Sequence, residues 1–364
     1  MRANSDEWKL VKRLLPVGWK QAAHRLGAFR RSRQLASPSA LLRVLLFHSV
    51  NTQGLRESAL ELRVAGVAQL SHVALFKRLR SSSLWLAWLA RGLCSSLRRS
   101  SRLPSGFSWR LLDSTTLQQP HSPGTSFRLH YSLDLLTLSC DWHQLTEAGA
   151  AEALSRLPLR QRDVVVADRN FLTPRGLRAA QDAGAFVLIR LRWTHPKMWN
   201  RRGQPTHALS LVRSLRVGQV GHWNVWLRDD QRHRVPGRLV AVKLPLPLAR
   251  KAQRRMRQIA QKKQHRVDRR TLQAARYVMV FTTLPAEVLS AEQVLEAYRF
   301  RWQVELAFKR LKRLLKLGQV PHRDKRAARA WIEAKLVVAL LLERLYREAR
   351  DFSPWGYELG GRSR

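Results

Sequence analysis

An α/β fold is predicted, with one sheet buried on both faces and a helical region ahead of it. Three observations carry the prediction. Val164-Val-Val-Ala167 and Phe186 to Leu191 are apolar throughout, as strands covered on both sides are. A helical stretch from Pro174 to Ala183 connects them. Earlier, the runs Phe107 to Leu112, Ser126 to Leu133 and Thr137 to Gln144 follow in quick succession as neighbouring strands.

Residues 1–104 read as helical and basic. Ser37-Pro38 breaks the chain, because a residue before proline is pushed out of the helical region. Ser39 then N-caps a mostly apolar helix from Ala40 to Phe47. Two short helices, Glu57 to Val64 and Ser71 to Leu79, flank a tight Ala65-Gly66-Val67 turn. With Lys77, Arg78 and Arg80 crowding the second, they outline a helix-turn-helix. An ordinary pair of packed helices has equal claim, since no residue there is diagnostic.

Leu103-Pro104-Ser105-Gly106 marks a boundary, and residues 105–192 hold the strand-rich first part of a core. There the first strand ends on Asp113, an amphipathic helix runs near Ala148 to Leu157, and the apolar strand at Val164 ends on Asp168. Residues 193–285 read as a β-rich insertion. Trp223, Val225 and Leu227 alternate with other positions, and Arg238 to Leu244 and Tyr277 to Thr283 are strand-like. Between those runs Arg250 to Arg276 forms a basic arm whose one acid is Asp268. Helices return across residues 286–350, as Ser290 to Leu317 and Ala327 to Arg347, and residues 351–364 form a loose tail.

The 364 residues carry 67 Lys and Arg against 25 Asp and Glu, a net charge of +42. Such a charge repels itself in a free monomer, so a polyanion is the expected partner, and a phosphate backbone the obvious one. Two cysteines, Cys94 and Cys140, are too few for a disulfide framework or a zinc site and read as buried small hydrophobes. The longest apolar stretch, Leu336 to Leu342, is far too short for a membrane span. Residues 1–7 lack the hydrophobic region of a signal peptide. A cytoplasmic protein with no membrane partner is expected.

Within Tyr298-Arg-Phe-Arg301-Trp-Gln-Val-Glu305-Leu-Ala-Phe-Lys-Arg-Leu-Lys312, the residues Tyr298, Arg301, Glu305 and Lys312 stand at i, i+3, i+7 and i+14. On one α-helix they fall within roughly a 60° stripe. A single acid among phosphate-binding cations suits the wall of a nucleic-acid active site better than a core. Asp113, Asp168 and Glu305 together offer oxygen ligands for hard divalent cations. Two such ions serve phosphodiester chemistry by activating the attacking oxygen and stabilising the leaving one. Singly, each acid has a plainer reading: Asp113 capping a turn, Asp168 paired with Arg169, Glu305 paired with Lys309. His121, His130 and His143 lack metal-ligand spacing and are read as structural or DNA-facing.

Leu112-Asp113-Ser-Thr115, Val166-Ala-Asp168-Arg-Asn-Phe171 and Tyr298-x2-Arg301-x3-Glu305-x6-Lys312 resemble the DDE transposases of the insertion-sequence 4 (IS4) family. The last motif matches that family's Y-(2)-R-(3)-E-(6)-K signature at all four positions, and the likeness runs from about residue 40 to 345. The resemblance implies an RNase H-like catalytic core interrupted by the β-rich insertion, with an N-terminal helical region that binds DNA. It implies Asp113, Asp168 and Glu305 as catalytic, metal-binding residues, and Tyr298, Arg301 and Lys312 as DNA-phosphate ligands. Two Mg²⁺ ions are implied, with Mn²⁺ as a substitute. The expected function is metal-dependent cleavage of double-stranded DNA at transposon terminal inverted repeats and strand transfer into target DNA, by a homodimer associated with the nucleoid. A catalytically inactive DNA-binding descendant and a metal-dependent DNA nuclease are the rival readings. Trp223 and Trp226 are candidates for stacking on an extruded base, but a β-domain core explains them equally well. Asn170 stands where many relatives have glycine.

Overall fold

The computed structural model describes residues 5–32, 34–51, 53–94, 103–228 and 233–351. Helices occupy the chain as far as residue 94: α1 (Ser5–Leu14), α2 (Trp19–Arg25), α3 (Pro38–Val50), α4 (Leu55–Val64), α5 (His72–Ser81) and α6 (Ser83–Leu93). The cap of α3 is Ser37 rather than Ser39; its hydroxyl accepts from the Ala40 N–H at 3.2 Å. Pro38 then sits in the first turn, where the N–H it lacks has no intrahelical partner to lose. Gly66, at φ +65°, makes the left-handed turn between α4 and α5. Ser71 caps α5. Arg80, one of the cations expected on a DNA-facing helix, ion-pairs with Asp324 at 3.4 Å.

Ten strands build one sheet: β1 (Ser108–Leu117), β2 (Phe127–Asp134), β3 (Cys140–Glu147), β4 (Asp163–Ala167), β5 (Phe186–Arg190), β6 (Met198–Trp199), β7 (Pro205–Thr206), β8 (Val220–Arg228), β9 (Arg234–Lys243) and β10 (Tyr277–Thr282). Their spatial order is β3-β2-β1-β4-β5-β10-β9-β8-β6-β7. The β1–β2–β3 meander is antiparallel, β1–β4 and β4–β5 are parallel, and β10 runs antiparallel along β5. The strands of 193–285 therefore extend this same sheet. Where β9 meets β10, Gly237 is required: a Cβ there would lie 2.5 Å from Phe281 Cζ and 2.6 Å from the Thr282 carbonyl oxygen.

Alternation along the strands sorts side chains into two cores. Trp109, Leu111, Val164 and Val166 face a layer containing Trp85 of α6 and Trp331 of α13 (Lys325–Asp351). Leu112, Val165, Ala167 and Ile189 face the other way, toward Leu177 and Ala180 of α7 (Pro174–Asp182) and Val212 of α8 (Ala208–Val212). Buried Arg110 stitches the centre. It donates to Asp141 on β3 at 2.6 Å, to Asp163 on β4 at 3.0 Å and to the Pro158 carbonyl at 3.0 Å. The basic arm folds as α9 (Leu246–Lys262) and α10 (Arg269–Ala274).

Three segments differ from expectation. β1 does not end at Asp113 but continues to Leu117, because β2 still pairs with it there. The helix expected over Ala148 to Leu157 is a loop with a single 3₁₀ turn at Leu154–Arg156. The Ala148 N–H still bonds to the Ser126 carbonyl, which keeps its first residue in the ladder. The helix expected from Ser290 to Leu317 is split into α11 (Ala291–Arg299), α12 (Trp302–Lys309) and a π turn, Arg310–Leu314. At the break, the Phe300 and Arg301 N–H groups bond back only three residues, to Ala297 and Tyr298, which tightens the turn. Among the described residues no helix is long and apolar enough to cross a membrane.

Candidate active site

The last parallel pair between β1 and β4 is Leu112 with Ala167. Asp113 and Asp168 are thus the next residues on neighbouring strands, whose spacing is about 4.8 Å. By alternation Asp113 follows Leu111, and Asp168 follows Val166, onto the face packed by α6 and α13. β4 stops at this point and turns into the short 3₁₀ segment Arg169–Phe171, while β1 continues beneath α12. The two acids therefore lie where one strand ends beside another that goes on, so no β4 ladder closes over them.

α12 brings the third acid. Glu305 lies in its first turn and Arg301 is the residue before it. The Arg301 guanidinium spans two carboxylates: Nη1 lies 3.4 Å from Asp113 Oδ2, and Nη2 donates to Glu305 Oε1. One planar cation reaching both places Asp113 and Glu305 as neighbours across the gap between sheet and helix. Asp113 Oδ1 also accepts the Ser114 N–H at 2.8 Å. Burial pushes the Asp113 carboxyl up to about 6, the charges of Asp168 and Glu152 push the same way, and the Ser114 N–H and Arg301 offset only part of this.

The other members of the signature, Tyr298 and Lys312, do not lie along one helix with Glu305. Tyr298, on α11, is buried; its hydroxyl makes no hydrogen bond of normal geometry among the described residues, though it lies close enough to Arg301 and Asp168 to feel their charges. Burial pushes its pKa up to about 12. Lys312 lies in the π turn, and its ammonium donates to the Thr116 carbonyl of β1 at 3.0 Å. Burial lowers its pKa. With the helix split into α11, α12 and a π turn, Arg301 and Lys312 both reach β1, at Asp113 and Thr116.

Glu152 was missed. It accepts from the Ser114 hydroxyl and from Arg128 at 2.8 Å, and its charge acts on Asp113. Its placement in a supposed amphipathic helix hid it; the scarcity of acids in so basic a chain was the available signal. The plainer pairing of Glu305 with Lys309 does not form: Lys309 lies over the Trp302 ring, at 5.0 Å. His121 accepts from Arg323 at 2.7 Å, and His130 bonds to Thr146 at 3.1 Å. Trp226 is buried, stacked on Trp199 at 5.0 Å, and donates to the Asn200 carbonyl. Along α9, Arg250, Lys251, Arg254, Arg255 and Arg257 are exposed.

Residues 108–341 match the family model described as "Transposase DDE domain". The chain is 32% identical over 361 residues to the "Putative transposase InsL for insertion sequence element IS186A" of Escherichia coli (strain K12), covering 97% of this chain and 98% of the relative. It is 32% identical over 362 residues to the "Transposase for insertion sequence element IS421" of Escherichia coli, with the same coverage of 97% and 98%. A solved structure, the piggyBac transposase synaptic complex with hairpin DNA, aligns over 98% of this chain and 84% of its own with a TM-score of 0.42 and 12% identity.

Proposed function

Because the chain belongs to the IS4-family DDE transposases, we propose that Asp113, Asp168 and Glu305 are the catalytic acids with which it cuts DNA at the ends of a mobile element and joins them to target DNA. Asp113 lies beside Asp168 past the last β1–β4 pair and shares Arg301 with Glu305; this arrangement carries the assignment, although the three carboxylates do not all lie within 4.8 Å of one another.

The donor set fits a divalent cation. All three groups offer hard oxygen, and Asp113, raised to about 6 chiefly by burial, also feels the charge of neighbouring Asp168. We assign Asp113, Asp168 and Glu305 as ligands of two Mg²⁺ ions, with Mn²⁺ able to replace them. Divalent ions held there supply Lewis acidity to the attacking and leaving oxygens of an in-line displacement. In that displacement water attacks the phosphorus at the element's end and the 3′-oxygen leaves as a hydroxyl; the freed 3′-hydroxyl then attacks a target phosphorus, breaking its bond to the target strand's 3′-oxygen, which leaves as a hydroxyl. Arg301, fixed by Asp113 and Glu305, presents its remaining N–H groups to the phosphate bearing the developing charge. Tyr298 keeps a neutral hydroxyl for a phosphate oxygen, and Lys312 adds a point charge beside β1.

Residues 105–192 and 286–350 form the RNase H-like core in this reading, supported by the β3-β2-β1-β4-β5 order with its antiparallel meander and parallel pairs. The 193–285 segment is the β-rich insertion, and its exposed α9 cations track phosphates. Residues 1–104 read the terminal inverted repeats, and a homodimer holds two ends together on DNA in the cytoplasm. Glu305→Gln tests the site: the purified variant should bind end DNA and fail to cleave it in Mg²⁺ or Mn²⁺. Cleavage at the wild-type rate would remove Glu305 from catalysis.

A further inference from the structure

Outside this site, three soft ligands meet behind the sheet's β3 edge. Cys94 follows the last turn of α6, Cys140 opens β3, and His143 lies three residues along that strand. In a regular strand residues three apart point to opposite faces. Here the β2–β3 register jumps from Ser132–Trp142 to Leu133–Cys140, leaving Asp141 as a one-residue bulge. The bulge puts Cys140 and His143 on the same face, toward α6 and α13. Arg110 fixes the bulged residue through its 2.6 Å contact with Asp141.

The ligand atoms are spaced as around a metal. Cys94 Sγ lies 3.7 Å from Cys140 Sγ and 3.4 Å from His143 Nδ1, and all three atoms lie within 4.8 Å of one another. A tetrahedral zinc with its usual Zn–S and Zn–N lengths sets S–S edges of about 3.8 Å and S–N edges of about 3.5 Å. A second shell is also present. Glu333 of α13, itself 2% exposed, brings Oε2 to 3.5 Å from the other ring nitrogen of His143, and that oxygen makes no hydrogen bond among the described residues. A carboxylate behind the remote nitrogen of a ligating histidine fixes its tautomer and raises its basicity. α13 further pins both cysteines: Glu343 accepts the Cys140 N–H at 3.1 Å, and Arg344 donates to the Leu93 and Gly92 carbonyls at 3.2 and 3.0 Å.

We propose that Cys94, Cys140 and His143 bind a zinc ion that clamps the end of α6 to the β3 edge of the sheet. Two protons leave the three ligands as the ion enters, so two thiolates, a neutral imidazole and Zn²⁺ form an uncharged unit. Water completes the coordination beside Cys94, the partly exposed member. On this proposal the two cysteines, too few for a zinc site by themselves, are joined by His143, which has no motif spacing in the sequence. The clamp ties the N-terminal helices to the core independently of the carboxylate site.

The test is cobalt and zinc titration of the full chain, purified in a reductant that does not bind metal. Expected are about one equivalent of tightly held zinc and, on cobalt substitution, a sulfur-to-cobalt charge-transfer band together with the strong visible bands of a tetrahedral ion. Carboxylate-bound cobalt gives no sulfur band, so Glu305→Gln should keep it and Cys94→Ser should lose it. Glu333→Gln should weaken zinc by roughly 10- to 100-fold. Should a cysteine variant fold poorly, the wild type alone decides: zinc should slow alkylation of Cys94 by at least about tenfold. Absence of the sulfur band, its persistence in folded Cys94→Ser, unchanged alkylation, or a Cys94–Cys140 disulfide formed in the presence of zinc would each overturn the proposal.

Discussion

Replacing Asp113 with asparagine should stabilise the metal-free protein while ending catalysis. The carboxyl, about one-sixth exposed, is raised from 3.8 to about 6, with burial the largest cause. The folded chain therefore holds this proton to higher pH than the unfolded chain does. Its contribution is fully present below pH 4, is lost as pH rises from about 4 to about 6, and leaves a constant penalty above that. At about 1.4 kcal/mol per pKa unit, the penalty is at most about 3 kcal/mol. Asparagine retains an oxygen for the Ser114 N–H and carries no charge, so Asp113→Asn should recover about 1–3 kcal/mol. Urea unfolding in chelator at pH 8, followed by tryptophan fluorescence, should show the higher midpoint in the variant. At pH 4 the two midpoints should converge. Adding Mn²⁺ at pH 8 should stabilise the wild type and leave the variant unchanged. Equal midpoints at pH 8, or an advantage that survives at pH 4, would refute the reasoning.

Arg301→Met removes the cation that lowers the Asp113 pKa. The acidic limb of the cleavage pH–rate profile should move to higher pH and the neutral rate should fall at least about tenfold; an unmoved limb would separate Arg301 from Asp113. Arg110→Met leaves Asp141 and Asp163 buried without their shared guanidinium. It should cost about 3–5 kcal/mol in equilibrium unfolding, and a loss below about 1 kcal/mol would show that the network is dispensable. Gly237→Ala drives a methyl against Phe281 and the Thr282 carbonyl. A loss of about 1–3 kcal/mol is expected, and a neutral effect would mean that β9 and β10 can part locally.

Much of the site was legible because its residues carry regular spacing. Tyr298, Arg301, Glu305 and Lys312 form a fixed-interval motif, and Asp113 and Asp168 follow apolar runs that reveal the strands bearing them. The path of the helix was not legible. An unbroken helix from Ser290 to Leu317 was the natural reading, since no proline or glycine interrupts Tyr298 to Leu317. The break at Phe300-Arg301 and the π turn belong to packing on β1, where Lys312 bonds to Thr116. Glu152 escaped for a related reason: its local pattern is helical, but contacts with Ser114 and Arg128 from other strands decide its place.

By itself the sequence determined the alternation of strands and helices, the excess of positive charge and the chemical identity of the acids. Those properties are written in composition and in intervals along the chain. Tertiary structure alone decided which groups meet. Asp113 and Glu305 share Arg301 because α12 crosses β1, and Cys140 joins Cys94 and His143 because one bulged residue turns a strand's face. Contact between residues far apart in the chain depends on register and on helix crossing, which are set by the packing of the whole core and leave no interval to read.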